Sequence, residues 1–319
     1  MKKIRYLIFF ILGIFLFHWV YKFFAGPQSL QLILDNKFKL FLLIIAYVPT
    51  LYFDTLAWLV LMYRNKLSII TGLIITWISQ TSSKFFPTGN ITGEIVRFYL
   101  AKKSGQKFSE ASSTVLMDLF IATFSLFIIG LVAFIFIVNI QEFVFYEKSL
   151  YLILSILLIC FGTIGFFLII RNRIISKLIR KFPRIKYIKT NKIYGLIRLD
   201  YAMYRLSYQK QILFKAIIYR LLGWVGGAFE IYIFLWIIGV DAKITDVILM
   251  ESVTAIIRSA AFFIPAGIGV QEFAFVMIGE FVGFSSVVSF SIAIGRRLRE
   301  IMVGIPAILT WFLFFNKKV

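Results

Sequence analysis

Residues 87–94 read PTGNITGE, and residues 265–272 read PAGIGVQE. Both stretches hold a proline, a glycine two positions later and a glutamate five positions after that glycine, and both interrupt a long apolar run. Proline removes a backbone donor and glycine permits non-helical angles, so each stretch breaks a helix. Lipid cannot satisfy the freed backbone groups, so they must line a polar cavity or pack against protein. Paired breaks in corresponding halves of a chain indicate an inverted-repeat transporter with a site near the middle of the membrane.

The composition around these breaks is that of a membrane protein. Of 319 residues, 61% are hydrophobic and 16% are charged, against about half and a quarter in soluble domains. The single cysteine, Cys160, excludes an internal disulfide, and the single histidine, His18, excludes a metal centre built on imidazole and thiolate ligands. No phosphate-binding loop of the form G-x-x-x-x-G-K-[ST] occurs. We therefore expect no metal, no cofactor and no catalytic residues, and we do not expect an enzyme.

The net charge of +20 comes from basic clusters between the apolar runs, a positive-inside pattern that does not suit nucleic-acid binding. Thirteen cations and one acid lie between residues 171 and 215. This cluster predicts a cytoplasmic segment, either an amphipathic helix on an anionic membrane surface or a plain solvated loop. The predicted domains are a first membrane repeat at 1–170, the basic loop at 171–211 and a second membrane repeat at 212–319.

The apolar runs predict an all-α polytopic membrane protein of inverted repeats, with about six full spans and two re-entrant Pro/Gly-broken helical hairpins, or eight segments. The first run follows a basic N-terminus, so a signal peptide is an alternative to a retained span. Basic flanks place both ends of the first broken segment in the cytoplasm, and the second then starts and ends outside. Both chain termini are predicted to be cytoplasmic. The spans are predicted at about residues 6–24, 39–63, 111–139, 149–170, 212–240 and 285–315, and the broken segments at 67–100 and 247–283.

Charged residues near the two breaks are the candidate ligands. Each costs about 2.5–3.5 kcal/mol at the bilayer centre when unpaired, so most must pair or face water. We expect Glu94 to pair with Arg97 and Glu272 to pair with an arginine of the last span. Cations exceed acids around that span, which predicts one cation free for a lipid phosphate. The predicted headgroup ligands are Arg97, Arg258, Arg296, Arg297, Glu94 and Glu272, and the predicted cavity-shaping residues are Pro87, Gly89, Gly93, Pro265, Gly267 and Gly269.

Two alternatives stay open for the buried charges. The ion pairs could serve only to stabilise the fold. Asp54 and Asp118 lie in apolar spans, where either could carry a coupling proton or make a helix-packing hydrogen bond.

At these residues the sequence resembles the transmembrane region of the lysylphosphatidylglycerol synthase/flippase family. The first stretch is similar to P-x-G-x-x-G-E-x-x-R, with one extra residue between the glycines, and the second to P-x-G-x-G-x-x-E. The family often has Asp-Arg in the helix after the first motif, whereas this chain has Asp118-Leu119. No soluble aminoacyltransferase domain follows the second repeat, so lysyl transfer is not expected.

The resemblance implies a domain that moves aminoacylated or other phospholipids between leaflets of the inner membrane. Standalone members are linked to hopanoid, glycolipid or envelope-polymer pathways. The expected partners are a phospholipid or lipid-linked substrate and a separate aminoacyltransferase or glycosyltransferase, with no nucleic acid. The alternative is a membrane-embedded accessory protein or enzyme of lipid-linked glycan, hopanoid or envelope biosynthesis.

Overall fold

The computed structural model describes residues 2–62, 66–86, 90–140, 164–181, 190–261 and 264–315, together with residues 157, 161 and 162. Within these ranges all regular secondary structure is helical. This confirms the predicted all-α fold. The helices are α1 (Lys2–Val20), α2 (Gly26–Asp35), α3 (Leu42–Leu61), α4 (Ile69–Phe85), α5 (Asn90–Lys103), α6 (Phe108–Ile140), α7 (164–171), α8 (Ile174–Lys181), α9 (Thr190–Ser207), α10 (Lys210–Ile237), α11 (Ile244–Ala260), α12 (Val270–Phe281) and α13 (Ser286–Phe315).

Three described helical segments are long and apolar enough to cross a membrane: Lys39–Leu61, Phe108–Val132 and Lys210–Ile237. The pair Ile8–Phe24 and Gly26–Asp35 makes a fourth if it is one bent span. The predicted final span, α13, is 30 residues long, but four charged residues near its middle lower its apolar character. Most of the predicted span at 149–170 lies outside the described residues, so the count of six stays a prediction.

The first broken segment forms a helical hairpin, hairpin 1, from α4 and α5. Ser79 Oγ donates to the carbonyl oxygen of Gly93 at 2.9 Å, and a Cβ on Gly93 would lie 2.8 Å from Ser79 O and 2.9 Å from Ser83 Cβ. The two helices therefore run antiparallel, and they are in close contact at Gly93, which has no side chain. The residues at the tip, including Pro87 and Gly89, lie outside the described residues.

The second broken segment forms an equivalent hairpin, hairpin 2, from α11 and α12. Arg258 near the end of α11 donates to Gln271 at the start of α12 at 2.9 Å. The turn between them includes one 3-10 turn at Pro265–Gly267. Gly269 has a φ of +79°, and a Cβ there would lie 2.7 Å from Gly13 O. The signature glycine is thus required by its backbone conformation and by close contact with α1.

Hairpin 2 packs along the N-terminal half of α13. At the beginning of α13, Ser286 hydrogen-bonds Glu280 near the end of α12. Eleven residues further along α13, Arg297 Nη1 donates to the carbonyl oxygen of Ala266 at the hairpin tip, at 3.0 Å. The base of hairpin 2 therefore lies beside one end of α13, and its tip lies near the middle.

Hairpin 1 packs along the C-terminal half of the same helix. Glu300 forms an ion pair of 2.9 Å with Lys84 at the tip of hairpin 1, and Phe315 O accepts from Lys103 Nζ at the base. A helix of 30 residues is about 45 Å long. The two hairpins thus approach from opposite ends of α13 and meet at residues 297–300, as expected for the predicted inverted arrangement.

Helices α3 and α10, which precede the two hairpins, cross closely because α10 lacks side chains at the contact. A Cβ on Gly226 would lie 2.8 Å from Thr50 Oγ1, and one on Gly223 would lie 2.6 Å from Asp54 Oδ1. Helix α10 therefore packs directly against α3 and brings its own charged residues next to Asp54.

Two regions differ from the sequence predictions or refine them. The first apolar run is followed by a bend of 88° before Gly26, and the chain continues beyond the bend as α2. Gly26 has a φ of +41°, and Pro27 follows it. In the basic segment, α8 and α9 are helical rather than a plain loop. Asp200 of α9 accepts from the Ser176 hydroxyl of α8 and joins the two helices. The domain boundaries themselves stay predictions.

Candidate functional site

The ends of α4 and α11, which lead into the two hairpin turns, line one cavity of about 580 Å³. Its walls come from α3, α4, α5, α6, α10, α11 and α13, so both repeats contribute. Most of the exposed lining is apolar, but charged side chains concentrate at the point where the hairpins meet α13. The charged lining residues are Asp54, Lys84, Glu94, Arg97, Arg220, Glu230, Glu251, Arg258, Arg296, Arg299 and Glu300.

The first ion cluster is centred on Asp118 of α6, whose side chain is fully buried. Arg97 Nη1 of α5 lies 2.6 Å from Asp118 Oδ2. Arg220 of α10 also contacts both carboxylate oxygens, with Nε at 3.1 Å from Oδ1. A buried carboxylate shared by two guanidinium groups joins hairpin 1 to the second repeat. Asp118 is followed by Leu119 and not by an arginine, and Arg220 of α10 is one of its two cationic partners.

Asp54 of α3 extends this cluster toward the cavity. Arg220 Nη1 lies 2.6 Å from Asp54 Oδ1, and Gln80 Nε2 of α4 donates to Asp54 Oδ2 at 2.7 Å. Gln80 in turn accepts from the Tyr47 hydroxyl. Asp54 and Asp118 are both held by ion pairs, and whether either carries a coupling proton stays open.

The second ion cluster lies on the α10 and α11 side of the cavity. Arg299 of α13 makes two hydrogen bonds to Glu230, at 2.9 and 2.8 Å, and stacks over the ring of Tyr47 at 4.5 Å. Arg296 binds Glu251 at 2.5 Å. A Cβ on Gly227 would lie 2.8 Å from Glu251 Oε1, so a glycine leaves room for this pair.

The third ion cluster anchors the turn of hairpin 2 to α13. Arg297 Nε donates to Glu272 Oε1 at 2.7 Å, while Glu272 Oε2 accepts from the backbone N–H of Gly269 at 2.7 Å. Arg297 also donates to the carbonyl oxygens of Ala266 and Gly267, at 3.0 and 3.2 Å. These contacts satisfy backbone groups that the proline and glycines free, as a helix break within a membrane requires. They also occupy the N-terminus of α12.

The family model for the lysylphosphatidylglycerol synthase TM region matches residues 6–307, nearly the whole chain, including both hairpins and the ion clusters between them. The chain belongs to this family. It is therefore a multi-pass membrane protein with a function related to membrane lipids. No curated protein and no solved structure matched the chain.

Arg258 and Glu94 have fewer close partners of opposite charge than the other charged residues that line the cavity. No carboxylate lies within 4 Å of Arg258 among the described residues; its partner is the neutral Gln271 at 2.9 Å, and its buried Nε has no hydrogen-bond partner there. Glu94 has only the 3.5 Å ion pair with Arg97, and its Oε2 has no hydrogen bond. These two groups retain capacity to bind a ligand.

Both predicted ion pairs are confirmed. Glu94 lies 3.5 Å from Arg97, and Glu272 lies 2.7 Å from Arg297 of the last helix. Of the predicted cavity-shaping residues that the structure describes, Gly93 lines the cavity, whereas Pro265, Gly267 and Gly269 form the turn of hairpin 2 and are not among the lining residues. Four of the predicted headgroup ligands line the cavity, and Arg297 and Glu272 do not. Whether any of the six binds a lipid stays a prediction. Glu272 is fully buried, with both oxygens occupied by protein donors.

The expectation that the last helix leaves a cation free is wrong. Its three arginines at 296, 297 and 299 each have a glutamate partner, and these glutamates come from α10, α11 and α12. The local excess of arginine on α13 is therefore neutralised by acids far away in the sequence. Among the described residues that line the cavity, the cation without a carboxylate partner is Arg258, near the end of α11.

Several residues of the site were not among the predicted ligands. Arg220 connects Asp54 to Asp118, and Lys84 connects the tip of hairpin 1 to Glu300. Each is a charge within an apolar segment, which is the sequence signal for a functional or paired group. The signal identifies such residues but does not specify their partners.

The two repeats carry opposite charges at an equivalent position. Asp118 follows Pro87 by 31 residues, and Arg296 follows Pro265 by 31 residues. Asp118 is bound by two arginines, whereas Arg296 lies within 4 Å of two glutamates, Glu230 and Glu251. An acid at one position and a base at its counterpart keep both buried sites close to neutral.

Proposed function

We propose that this protein translocates a phosphate-bearing lipid across the cytoplasmic membrane, with the headgroup passing through the central cavity and the acyl chains remaining in the bilayer. Family membership supports a lipid-related function, and the meeting of two hairpins from opposite ends of the molecule supports a route between the leaflets. In this proposal both chain termini are cytoplasmic. The lipid is aminoacylated, glycosylated or unmodified at its headgroup.

The observation that carries the proposal is the unpaired charge of Arg258. A guanidinium group on a cavity wall has a strong preference for a bidentate phosphate partner. Lys84, at the tip of the other hairpin, also lines the cavity and is held only by Glu300. We propose that Arg258 is the resident phosphate ligand and that Lys84 joins it when the headgroup enters between the tips.

The remaining predicted ligands take different parts in this proposal. Arg97, Arg296 and Arg297 position the hairpins, because each donates to a buried acid. Glu94 keeps an oxygen without a hydrogen bond and would accept from a hydroxyl or ammonium group of the lipid. Glu272 supports the turn and does not contact the lipid.

The driving force is expected to come from the lipid gradient or the membrane potential. Moving one elementary charge across 100 mV changes the free energy by about 2.3 kcal/mol. An inside-negative membrane potential favours outward movement of a lipid with net negative charge. It opposes outward movement of a lysylated lipid with net positive charge, which would have to be removed from the outer leaflet by a further reaction. A separate aminoacyltransferase or glycosyltransferase would supply a modified lipid.

A carrier is favoured over an enzyme by the pairing of the acids. A general base needs an accessible carboxylate within reach of a substrate proton. Among the described residues that line the cavity, Asp54, Glu230, Glu251 and Glu300 all bind cations at 2.9 Å or less. Only Glu94 has a loosely held carboxylate, and no second residue is arranged with it as a nucleophile.

The test is a leaflet assay with the full chain in proteoliposomes that contain head-labelled phosphatidylglycerol. The wild type should expose the inner-leaflet label faster than empty vesicles, without changing the mass of the lipid. Arg258→Gln should slow the exchange by about tenfold to a hundredfold, as expected from losing a charged hydrogen bond worth about 1.5–3 kcal/mol. Arg258→Lys should retain an intermediate rate.

The matched control is Lys215→Gln, which removes one charge from an exposed position on α10 and should leave the rate unchanged. Melting temperatures confirm that each variant is folded. A folded wild type that exchanges lipid no faster than empty vesicles would refute the transport proposal. A full rate in folded Arg258→Gln would refute the phosphate ligand assigned here.

A further inference from the structure

A second pocket, of about 280 Å³, lies at the base of hairpin 1 and is separate from the central cavity. It is enclosed by the end of α3, the turn between α5 and α6, the first turns of α6 and one face of α9. The cavity contacts the beginning of α5 and this pocket contacts the residues after its end. The two sites have no lining residue in common.

Three cations converge on this pocket from two elements. Arg198 and Arg205 are two turns apart on α9, and Lys107 comes from the turn after α5. None of the three has a carboxylate partner within 4 Å among the described residues, whereas nearly all the cations of the central cavity have one. Arg205 packs over the ring of Tyr201 at 5.7 Å, which orients the guanidinium group without neutralising it.

The pocket also holds a buried acceptor without a donor. Glu110 Oε2 is inaccessible to solvent and has no hydrogen-bond partner among the described residues. A buried polar atom in that state needs an explanation, and a missing ligand donor is one. The pocket thus combines an anion-binding side, formed by three cations, with one acceptor that requires an O–H or N–H group.

From this combination we infer that the pocket binds a phosphate ester whose adjoining group carries a hydroxyl or ammonium donor. The phosphate lies among Arg198, Arg205 and Lys107, and the donor reaches Glu110 Oε2. A water molecule occupies about 30 Å³ in the liquid, so the pocket has room for a phosphate with a small polyol attached. Such a ligand joins α9 to the turn between α5 and α6.

Two sources can supply this chemistry: the headgroup of an anionic phospholipid in the adjacent leaflet and a free phosphorylated polyol. The experiment uses the purified full chain in an uncharged detergent and measures the melting temperature during titration. The three probes are phosphatidylglycerol, phosphatidylcholine and sn-glycerol 3-phosphate. Phosphatidylcholine has no hydroxyl and no N–H donor, so it should raise the melting temperature least.

The double variant Arg198→Gln/Arg205→Gln should weaken the phosphatidylglycerol response by about tenfold or more in concentration, as expected from losing two guanidinium contacts to phosphate. The control Lys177→Gln/Lys215→Gln removes two charges from exposed positions outside the pocket and should respond like the wild type. In an Arg258→Gln background, which removes the phosphate ligand proposed for the central cavity, the α9 double variant should still weaken the response.

A response to both phosphatidylglycerol and glycerol phosphate supports a site for either source, and a response to the lipid alone supports a lipid site. Equal responses of the α9 double variant and its control would overturn the inference. If the double variant does not fold, Lys107→Gln and Glu110→Gln serve instead. Each should weaken the phosphatidylglycerol response severalfold, and unchanged responses in both would equally overturn the inference.

Discussion

Lys84 of hairpin 1 and Glu300 of α13 lie 2.9 Å apart, and the same glutamate lies 3.1 Å from Arg297, which holds the turn of hairpin 2. One carboxylate therefore connects the tips of both hairpins at the middle of the longest helix of the second repeat. A headgroup that passes between the tips has to move past this connection. Glu300 is thus one of the points at which the two halves of the molecule are joined, together with Asp118.

The first prediction concerns this coupling. Lys84→Met leaves Glu300 with Arg297 alone, and Glu300→Gln leaves Lys84 without an acid partner among the described residues. Because both single variants break the same contact, the double variant should cost less than the sum, with a coupling of about 0.5–3 kcal/mol. The measurement is the free energy of unfolding from SDS titration in mixed micelles. Costs that add within about 0.5 kcal/mol would show that the pair is not coupled.

The second prediction concerns the buried acid at the centre of the first cluster. Asp118→Asn removes the charge that Arg97 and Arg220 share in the interior, and removing one partner of a buried ion pair costs about 3–5 kcal/mol. The same SDS titration measures the loss. Glu280→Gln, at an exposed carboxylate near the end of α12, should stay within about 0.5 kcal/mol of the wild type. Similar stability of the two variants would contradict the structural role of Asp118.

The third prediction concerns Gly93, the glycine at the contact between the two helices of hairpin 1. Gly93→Ala places a Cβ 2.8 Å from the backbone oxygen of Ser79, a rigid neighbour, so hairpin 1 must open slightly at a cost of about 1–3 kcal/mol. Gly165→Ala is the matched control, because nothing lies within 4 Å of its added Cβ. The control should be neutral or stabilised by up to about 1 kcal/mol. A Gly93→Ala variant as stable as this control would show that the hairpin does not need the glycine.

The sequence predicted the features that depend on neighbours in the chain. A proline and a glycine two residues after it, within an apolar segment, indicate a helix break from the local sequence alone. Glu94 and Arg97 are one helix turn apart, so their pairing follows from helical spacing. Even the pairing of Glu272 with the last helix could be predicted, because a buried acid after a helix break needs a cation and that helix has several.

The sequence did not predict which cation lacks an acid partner. Arg258 and Arg296 are both arginines in apolar helices of the second repeat, and the sequence does not show which of them meets an acid. The difference arises because Glu251 and Gly227 come together beside Arg296, whereas only Gln271 reaches Arg258. Arg220 and Asp118 are 102 residues apart, and their contact depends on how α6 packs against α10. Such pairings are properties of the tertiary structure.

The last prediction tests whether the cavity contains water. Cys160 is the only cysteine, so the Cys160→Ser variant is free of cysteine. Ser83→Cys on α4 and Ser259→Cys on α11 each add one cysteine to this variant, and both positions line the cavity. In proteoliposomes, a membrane-impermeant thiol reagent should label both positions, since ionised groups in the cavity need water or ion partners to remain charged. Ser125→Cys, at a fully buried position of α6, should react only after denaturation in SDS.

The pattern of labelling also separates a transport cavity from an internal ion-pair core. In a core, the charges would only stabilise packing, and Ser83→Cys and Ser259→Cys would behave like Ser125→Cys. In a transport cavity, they should react in the native protein, and added phosphatidylglycerol should slow the reaction at Ser259→Cys, because this position is next to Arg258. Protection that disappears when Arg258→Gln is added would show that Arg258 holds the lipid at this surface, whereas protection that persists would show that another group does.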